Sequence, residues 1–145
     1  MTNEAAIGCL SVRQRVLEAK LLLNREYDFA LCGLSWEARC TTAINNLVDV
    51  PKRAVFIRFE SRDVRIDAIK DVAYAALRTL FKETQVLLLQ RAVSTRENTA
   101  LLEGWLQEEY VKVQRPLRIL LDVTCIPKSY ILFLLARLIH PPGAP

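Results

Sequence analysis

The chain has 145 residues, 52% of them hydrophobic, and a formal charge of +4, which suits one domain on a single core and is too mild a basicity to define a nucleic-acid binder. No apolar stretch reaches the roughly 18 residues of a membrane span, and the opening MTNEAAIGCLSVRQR lacks a basic segment followed by an apolar one, so no signal peptide is expected and the protein is expected in the cytoplasm. Four cysteines without a CxxC pair and a single histidine, His140 beside two prolines, do not make a zinc site; neither metal nor cofactor is expected.

Residues 11–23 place Val12, Val16, Leu17 and Leu21 at loosely helical spacing, which predicts an N-terminal helix. YDFALC, residues 27–32, is a short apolar run stopped by Gly33 and reads as a buried first strand. Ser35 is the expected cap of a helix over 36–47, with Glu37 in its first turn, where a negative charge suits the helix dipole. Pro51 ends that helix. RAVFIRF, residues 53–59, is the second strand and runs into the charged stretch Glu60, Ser61, Arg62, Asp63.

A helix over 66–81 follows, with Ile69, Val72, Ala73, Ala76 and Leu77 at spacings of three and four. QVLLLQ, residues 85–90, is the third strand. Ser94 and Thr95 are cap candidates for a helix to about Val111 whose apolar residues are Leu101, Leu102, Trp105, Leu106 and Tyr110. The fourth strand covers 117–123, and a last helix runs from Pro127, placed near the first turn, to His140. Residues 141–145, PPGAP, cannot continue it and read as a proline-rich tail or boundary, leaving residues 1–140 as one domain.

Strands alternating with helices predict a doubly wound, Rossmann-like parallel sheet of about four strands, in the order 3-2-1-4, with helices on both faces. Unbroken apolar strands agree with a sheet covered on both sides. In that order the first and fourth strands are neighbours whose connections leave in opposite directions, and the crevice at their carboxyl ends is where ligands bind. The loops after those strands are CGLSWE, residues 32–37, and DVTCIPKS, residues 122–129.

Asp122 and Thr124, two apart, project to one side at the end of a buried strand, and the start of the last helix favours an anion. Lys128 and Ser129 supply a charge and a hydroxyl, Gly33 permits close backbone approach, and Ser35 offers another hydroxyl. Gly33, Ser35, Asp122, Thr124, Lys128 and Ser129 are therefore the candidate ligand-binding residues. Asp122 as a turn anchor and Thr124 as a helix cap are the competing structural readings, and Trp36 serves either packing or stacking.

The segment LDVTCIPKS resembles the strand-turn-helix motif of CRISPR-associated Rossmann fold (CARF) domains, where an Asp or Asn, a Thr, a small-residue turn and a Lys precede a helix. The turn departs from that motif in carrying Cys125, Ile126 and Pro127 where glycines are usual. The resemblance implies a sensor of bacterial antiviral defence that binds a nucleotide-type ligand as a homodimer, with Thr124, Lys128 and Ser129 as phosphate or ribose contacts and Gly33 and Ser35 on the opposite wall.

Two other readings stand beside it. The first strand and loop faintly resemble those of Toll/interleukin-receptor (TIR) domains, and a nucleotide or NAD glycohydrolase would use Glu37 or Asp122 to stabilise the charge that develops as a glycosidic bond breaks. No nucleophile with its base can be named, so catalytic residues remain unassigned. The third reading is a scaffold or dimerisation domain, since the helix from Tyr130 to Ile139 is apolar around nearly its whole circumference and implies a homodimer or an added domain.

Overall fold

The structure, a computed structural model, describes residues 3–7, 10–14, 26–47, 50–90 and 94–140. Strands β1 (Asn3–Ile7) and β2 (Leu10–Gln14) form an antiparallel hairpin in which Ile7 pairs with Leu10 and Asn3 with Gln14. This corrects the expected N-terminal helix over its first residues. Leu10-Ser-Val-Arg13 alternates apolar and polar with period two, and that local alternation outweighs the loose three-to-four spacing. The rest of the expected helix lies outside the described residues, as do residues 141–145.

The main sheet contains β3 (Phe29–Leu34), β4 (Arg53–Phe59), β5 (Glu83–Leu89) and β6 (Ile119–Asp122). All neighbours run parallel, in the order β5-β4-β3-β6. This is the 3-2-1-4 arrangement of a doubly wound, Rossmann-like α/β fold. Three helices join these strands, α1 (Arg39–Asn45), α2 (Val64–Leu77, prolonged by one 3-10 turn to Leu80) and α3 (Thr95–Val113), and α4 (Lys128–Ile139) follows β6.

Strand periodicity sorts the core into two layers. Phe29, Leu31, Val55, Ile57, Leu87 and Leu89 point to one face and pack with Leu102, Trp105 and Leu106 of α3 and Tyr130 and Leu134 of α4. Ala30, Cys32, Leu34, Ala54 and Phe56 point to the other and meet Ile44 of α1 and Leu77 of α2. Chain order explains the split. The β3-β4-β5 crossovers use one face, and the return from β5 to β6 uses the other, so β3 and β6 are flanked by connections on opposite faces.

Three polar devices brace this frame. Ser94 Oγ accepts the Glu97 N–H at 3.3 Å while Glu97 Oε2 accepts the Ser94 N–H at 2.8 Å, a complete capping box at the start of α3. One turn on, Asn98 Nδ2 donates to the Gln90 carbonyl at 2.9 Å and to Tyr130 Oη at 3.1 Å, and its Oδ1 accepts the Gln90 N–H at 3.1 Å. A single buried amide thus ties the end of β5 to the first turns of α3 and α4. At the opposite rim Glu109, only 2% exposed, accepts from Arg53 Nη1 at 2.6 Å, Arg53 Nη2 at 3.0 Å and Lys112 Nζ at 2.9 Å.

Helix faces depart from expectation at several positions, among them Leu101 of α3 and Ala76 of α2, which are exposed. Ala73 and Leu77 of α2 face the sheet, whereas Ile69 and Val72 are exposed. On α4, Leu132, Leu135, Ala136 and Ile139 are exposed at spacings of three and four, while Tyr130 and Leu134 enter the core.

Candidate ligand-binding cleft

Parallel strands all end at one rim, so the loops after β3, β4 and β6 leave the sheet side by side. Pairing runs almost to the last residues: Leu34 lies opposite Arg58, and Cys32 opposite Asp122. Between the loops lies an open cleft of about 410 Å³. Leu34 at the end of β3, Ser35, Trp36 and Glu37 of the first loop and Arg39 at the start of α1 line it. Phe59, Glu60 and Ser61 come from the end of β4 and its loop, Ile66 and Lys70 from α2, and Thr124, Cys125, Ile126 and Pro127 from the loop after β6.

Of the residues singled out in the sequence, Ser35, Glu37 and Thr124 meet in this cleft. Gly33 lies beneath it. A Cβ built on Gly33 would stand 2.7 Å from the carbonyl carbon and oxygen of Cys125 and 2.9 Å from Ile126 Cγ1. The missing side chain therefore lets the protein's own β6–α4 loop rest on β3. Asp122 is half-buried, and its Oδ1 accepts the Thr124 N–H at 2.9 Å, which bends the chain out of β6 in an Asx-type turn. Lys128 and Ser129 are exposed in the first turn of α4, outside the cleft lining.

The first loop differs from the expected helix start. Here α1 begins only at Arg39, and Ala38 occupies its cap position without a side-chain hydrogen bond. Ser35 instead turns the loop: its Oγ accepts the Glu37 N–H at 3.3 Å and its carbonyl accepts the Cys40 thiol at 3.3 Å. That turn keeps Trp36 and Glu37 out of the helix. Trp36 is 56% exposed at the cleft edge, and Glu37 pairs with Arg39 Nε at 2.6 Å. Pro127 likewise sits at the cap position of α4, one residue before the helix, with extended backbone.

The second wall holds residues that sequence reasoning passed over. Lys70 is 4% exposed, and its Nζ donates to the Phe59 carbonyl at 2.5 Å and to Asp67 Oδ1 at 3.0 Å. This hydrogen bond, first among the causes, holds the Asp67 carboxyl below its usual range. A lysine in the inward row of α2, with Ile66 before it and Ala73 and Leu77 after it, is the signal that could have found it. Glu60 and Ser61 were legible from topology, since β4 ends beside β3.

Electrostatically the lining is balanced, with two carboxylates, Glu37 and Glu60, and two cations, Arg39 and Lys70. Burial, then the neighbouring Cys40 and Glu37, push the Cys125 thiol above its ordinary range. Burial and then Asp122 do the same for Cys32. Such thiols stay protonated near neutral pH and make poor nucleophiles. The described cysteines are free. Among the described residues no group of three or more His, Cys, Asp or Glu side chains is placed to hold a metal ion, and no helix is long and apolar enough to cross a membrane.

Compared with protein-family models, with curated proteins and with solved structures, the chain matches none. What the cleft can do chemically follows from its own parts: hydroxyls of Ser35, Ser61 and Thr124, a flat ring on Trp36, apolar surface from Phe59, Ile66 and Ile126, and paired charges. These groups can offer hydrogen bonds, a stacking surface and apolar contact.

Proposed function

We propose that the domain is a ligand-sensing module that takes a nucleotide-type small molecule in this cleft, at the carboxyl ends of β3 and β6, as the resemblance to CARF sensors of bacterial antiviral defence implies. The observation that carries the reading is the cleft's position. Open α/β sheets bind ligands where strand order reverses, and β3 and β6 are the pair at which this sheet reverses. Its volume falls within the roughly 300–1,000 Å³ of small-molecule sites. The ligand's sugar is read by Ser35 and Thr124, and its ring by Trp36. Signalling passes through a homodimer formed across the α4 seam of Leu132, Leu135, Ala136 and Ile139, whose spacing suits helix-on-helix packing.

A melting series with linear and cyclic nucleotides tests this. A ligand at 100 times its Kd stabilises by about 2.7 kcal/mol, a rise of about 5–10 °C for a chain of this size. Thr124→Ala should weaken that response, while Lys128→Ala, outside the lining, should leave it unchanged. A flat melting temperature across the panel, or a Thr124→Ala response equal to the parent's, removes the assignment.

A second reading is supported by the meeting of Glu37 and Glu60 in one cleft. Two carboxylates beside a bound nucleoside suit hydrolysis of a glycosidic bond, one as acid and the other steadying the oxocarbenium charge. Release of free base from a nucleoside or NAD, lost in Glu37→Gln, would select this reading over sensing.

A further inference from the structure

Two hydrogen bonds fix which backbone groups of β5 face out of the sheet. The Glu83 N–H donates inward to the Lys52 carbonyl at 3.1 Å, and the Leu89 carbonyl accepts inward from the Glu60 N–H at 2.9 Å. Parallel pairing with β4 is unbroken from Glu83 to Leu89, and along such a ladder alternate residues turn both their groups to opposite sides. Residues 83, 85, 87 and 89 therefore bond to β4, while Thr84, Val86, Leu88 and Gln90 turn their N–H and carbonyl outward. β5 is an outer strand. Asn98 holds the Gln90 pair, but among the described residues no strand pairs with the outer side of Thr84, Val86 or Leu88.

The side chains do not defend this edge. Val86 is 37% exposed and Leu88 47%, and from Thr84 to Leu89 the strand holds no charged residue, proline or glycine. Outer strands commonly carry such features to keep other strands away. The edge also complements itself. An antiparallel copy of β5, aligned with Val86 opposite Val86, sets Thr84 opposite Leu88 and Leu88 opposite Thr84, so every outward-facing residue meets another, as a hydrogen-bonded pair requires. Slipping by one residue opposes outward to inward groups. Slipping by two leaves one of the three outward residues without its match or calls on Gln90, which Asn98 already holds. In the aligned register Glu83 falls opposite Leu89, and no like charges oppose each other.

We infer that β5 is a self-association edge: two copies of this chain join antiparallel through residues 84–88, Val86 against Val86, and merge their four-stranded sheets into one about a closed two-fold axis. The contact goes beyond the ligand reading and does not rest on it, since β5 stands two strands from β3. It is also separate from the α4 seam.

Sedimentation velocity on the whole chain, at concentrations up to about 300 μM because so short a contact belongs to the weak class, tests it. Leu132→Glu, at a position 69% exposed on α4, removes the α4 seam and should leave a species of twice the 16.5 kDa chain. In that background Val86→Lys and Val86→Glu each set like charges opposite one another and should weaken the dimer at least about tenfold. An equal mixture of the two should restore it, and Val86→Thr, which keeps the β-branched shape, should match the unsubstituted edge. Circular dichroism confirms that each variant folds, and the Val86 series repeated without Leu132→Glu gives the same contrast if that change disturbs α4. A Leu132→Glu chain that folds yet stays monomeric throughout overturns the β5 contact and, if the parent dimerises, leaves α4 as the interface. A dimer indifferent to Val86→Lys, or lysine and glutamate variants that do not rejoin on mixing, overturns it equally.

Discussion

Replacing Gly33 by alanine tests the contact on which the cleft floor depends. The added Cβ would meet the Cys125 carbonyl carbon and oxygen at 2.7 Å, about 0.8 Å inside the roughly 3.5 Å optimum for non-bonded heavy atoms. Both atoms are backbone, so relief requires the β6–α4 loop to shift as a unit, and overpacking of this kind costs about 1–3 kcal/mol. Alanine also lowers unfolded-chain entropy, which returns about 0.4–1 kcal/mol. The net expectation is a loss of about 1–2 kcal/mol. Gly104 is the matched control: it lies inside α3 with nothing within 4 Å of the built Cβ, so Gly104→Ala should gain about 0.5–1 kcal/mol. The two variants share the unfolded-state term, and their difference of about 2–3 kcal/mol isolates the contact. Urea denaturation reads this as a separation of about 1 M or more in midpoint. Equal midpoints for Gly33→Ala and the parent would refute the close loop–strand contact.

Arg53→Met should destabilise by about 3 kcal/mol at pH 7, because it strips Glu109 of its main partner and leaves a buried carboxylate. Hydrogen bonding from Arg53 holds the Glu109 carboxyl below its ordinary range, against the opposing effect of burial. A depressed folded-state pKa stabilises above the unfolded value of about 4.3, and that contribution is lost as pH falls through the folded pKa. The deficit of the variant should therefore shrink in acid, and a deficit that grows below pH 4 would contradict the pairing. Ser94→Ala should cost about 1 kcal/mol through loss of the capping box, seen as a lower urea midpoint; an unchanged midpoint would show that the cap does not brace α3.

The layered fold was legible because a strand buried on both faces is a short unbroken apolar run. RAVFIRF reads as a strand at the bounds it adopts, and the Ser94–Glu97 spacing marks the start of α3 without any tertiary information. Where local signals competed, the reading slipped. Leu10–Gln14 carries two periodicities, and the residues after Ser35 have helix-forming character that the serine turn postpones until Arg39. Site legibility followed the same division. Strand order alone leads to the rim and to Ser35, Glu37 and Thr124. Lys70 enters the cleft from the second turn of α2, so its presence depends on how that helix packs on the sheet. Gly33, Asp122, Lys128 and Ser129 were chosen by type and nearness in sequence, which does not reveal that Gly33 is covered by Cys125 or that Lys128 lies outside the cleft lining.

The bidentate grip of Asn98 on Gln90 reaches beyond joining α3 to α4. Leu89 gives its carbonyl inward to Glu60, so the amide and carbonyl of Gln90 face outward along the margin of β5, where a foreign chain would begin to zip on. Asn98 presents them with the same donor–acceptor couple that such a chain would bring. Asn98 thereby occupies that one pair with a side chain that imitates a neighbouring strand, so an added strand could not begin its pairing at Gln90.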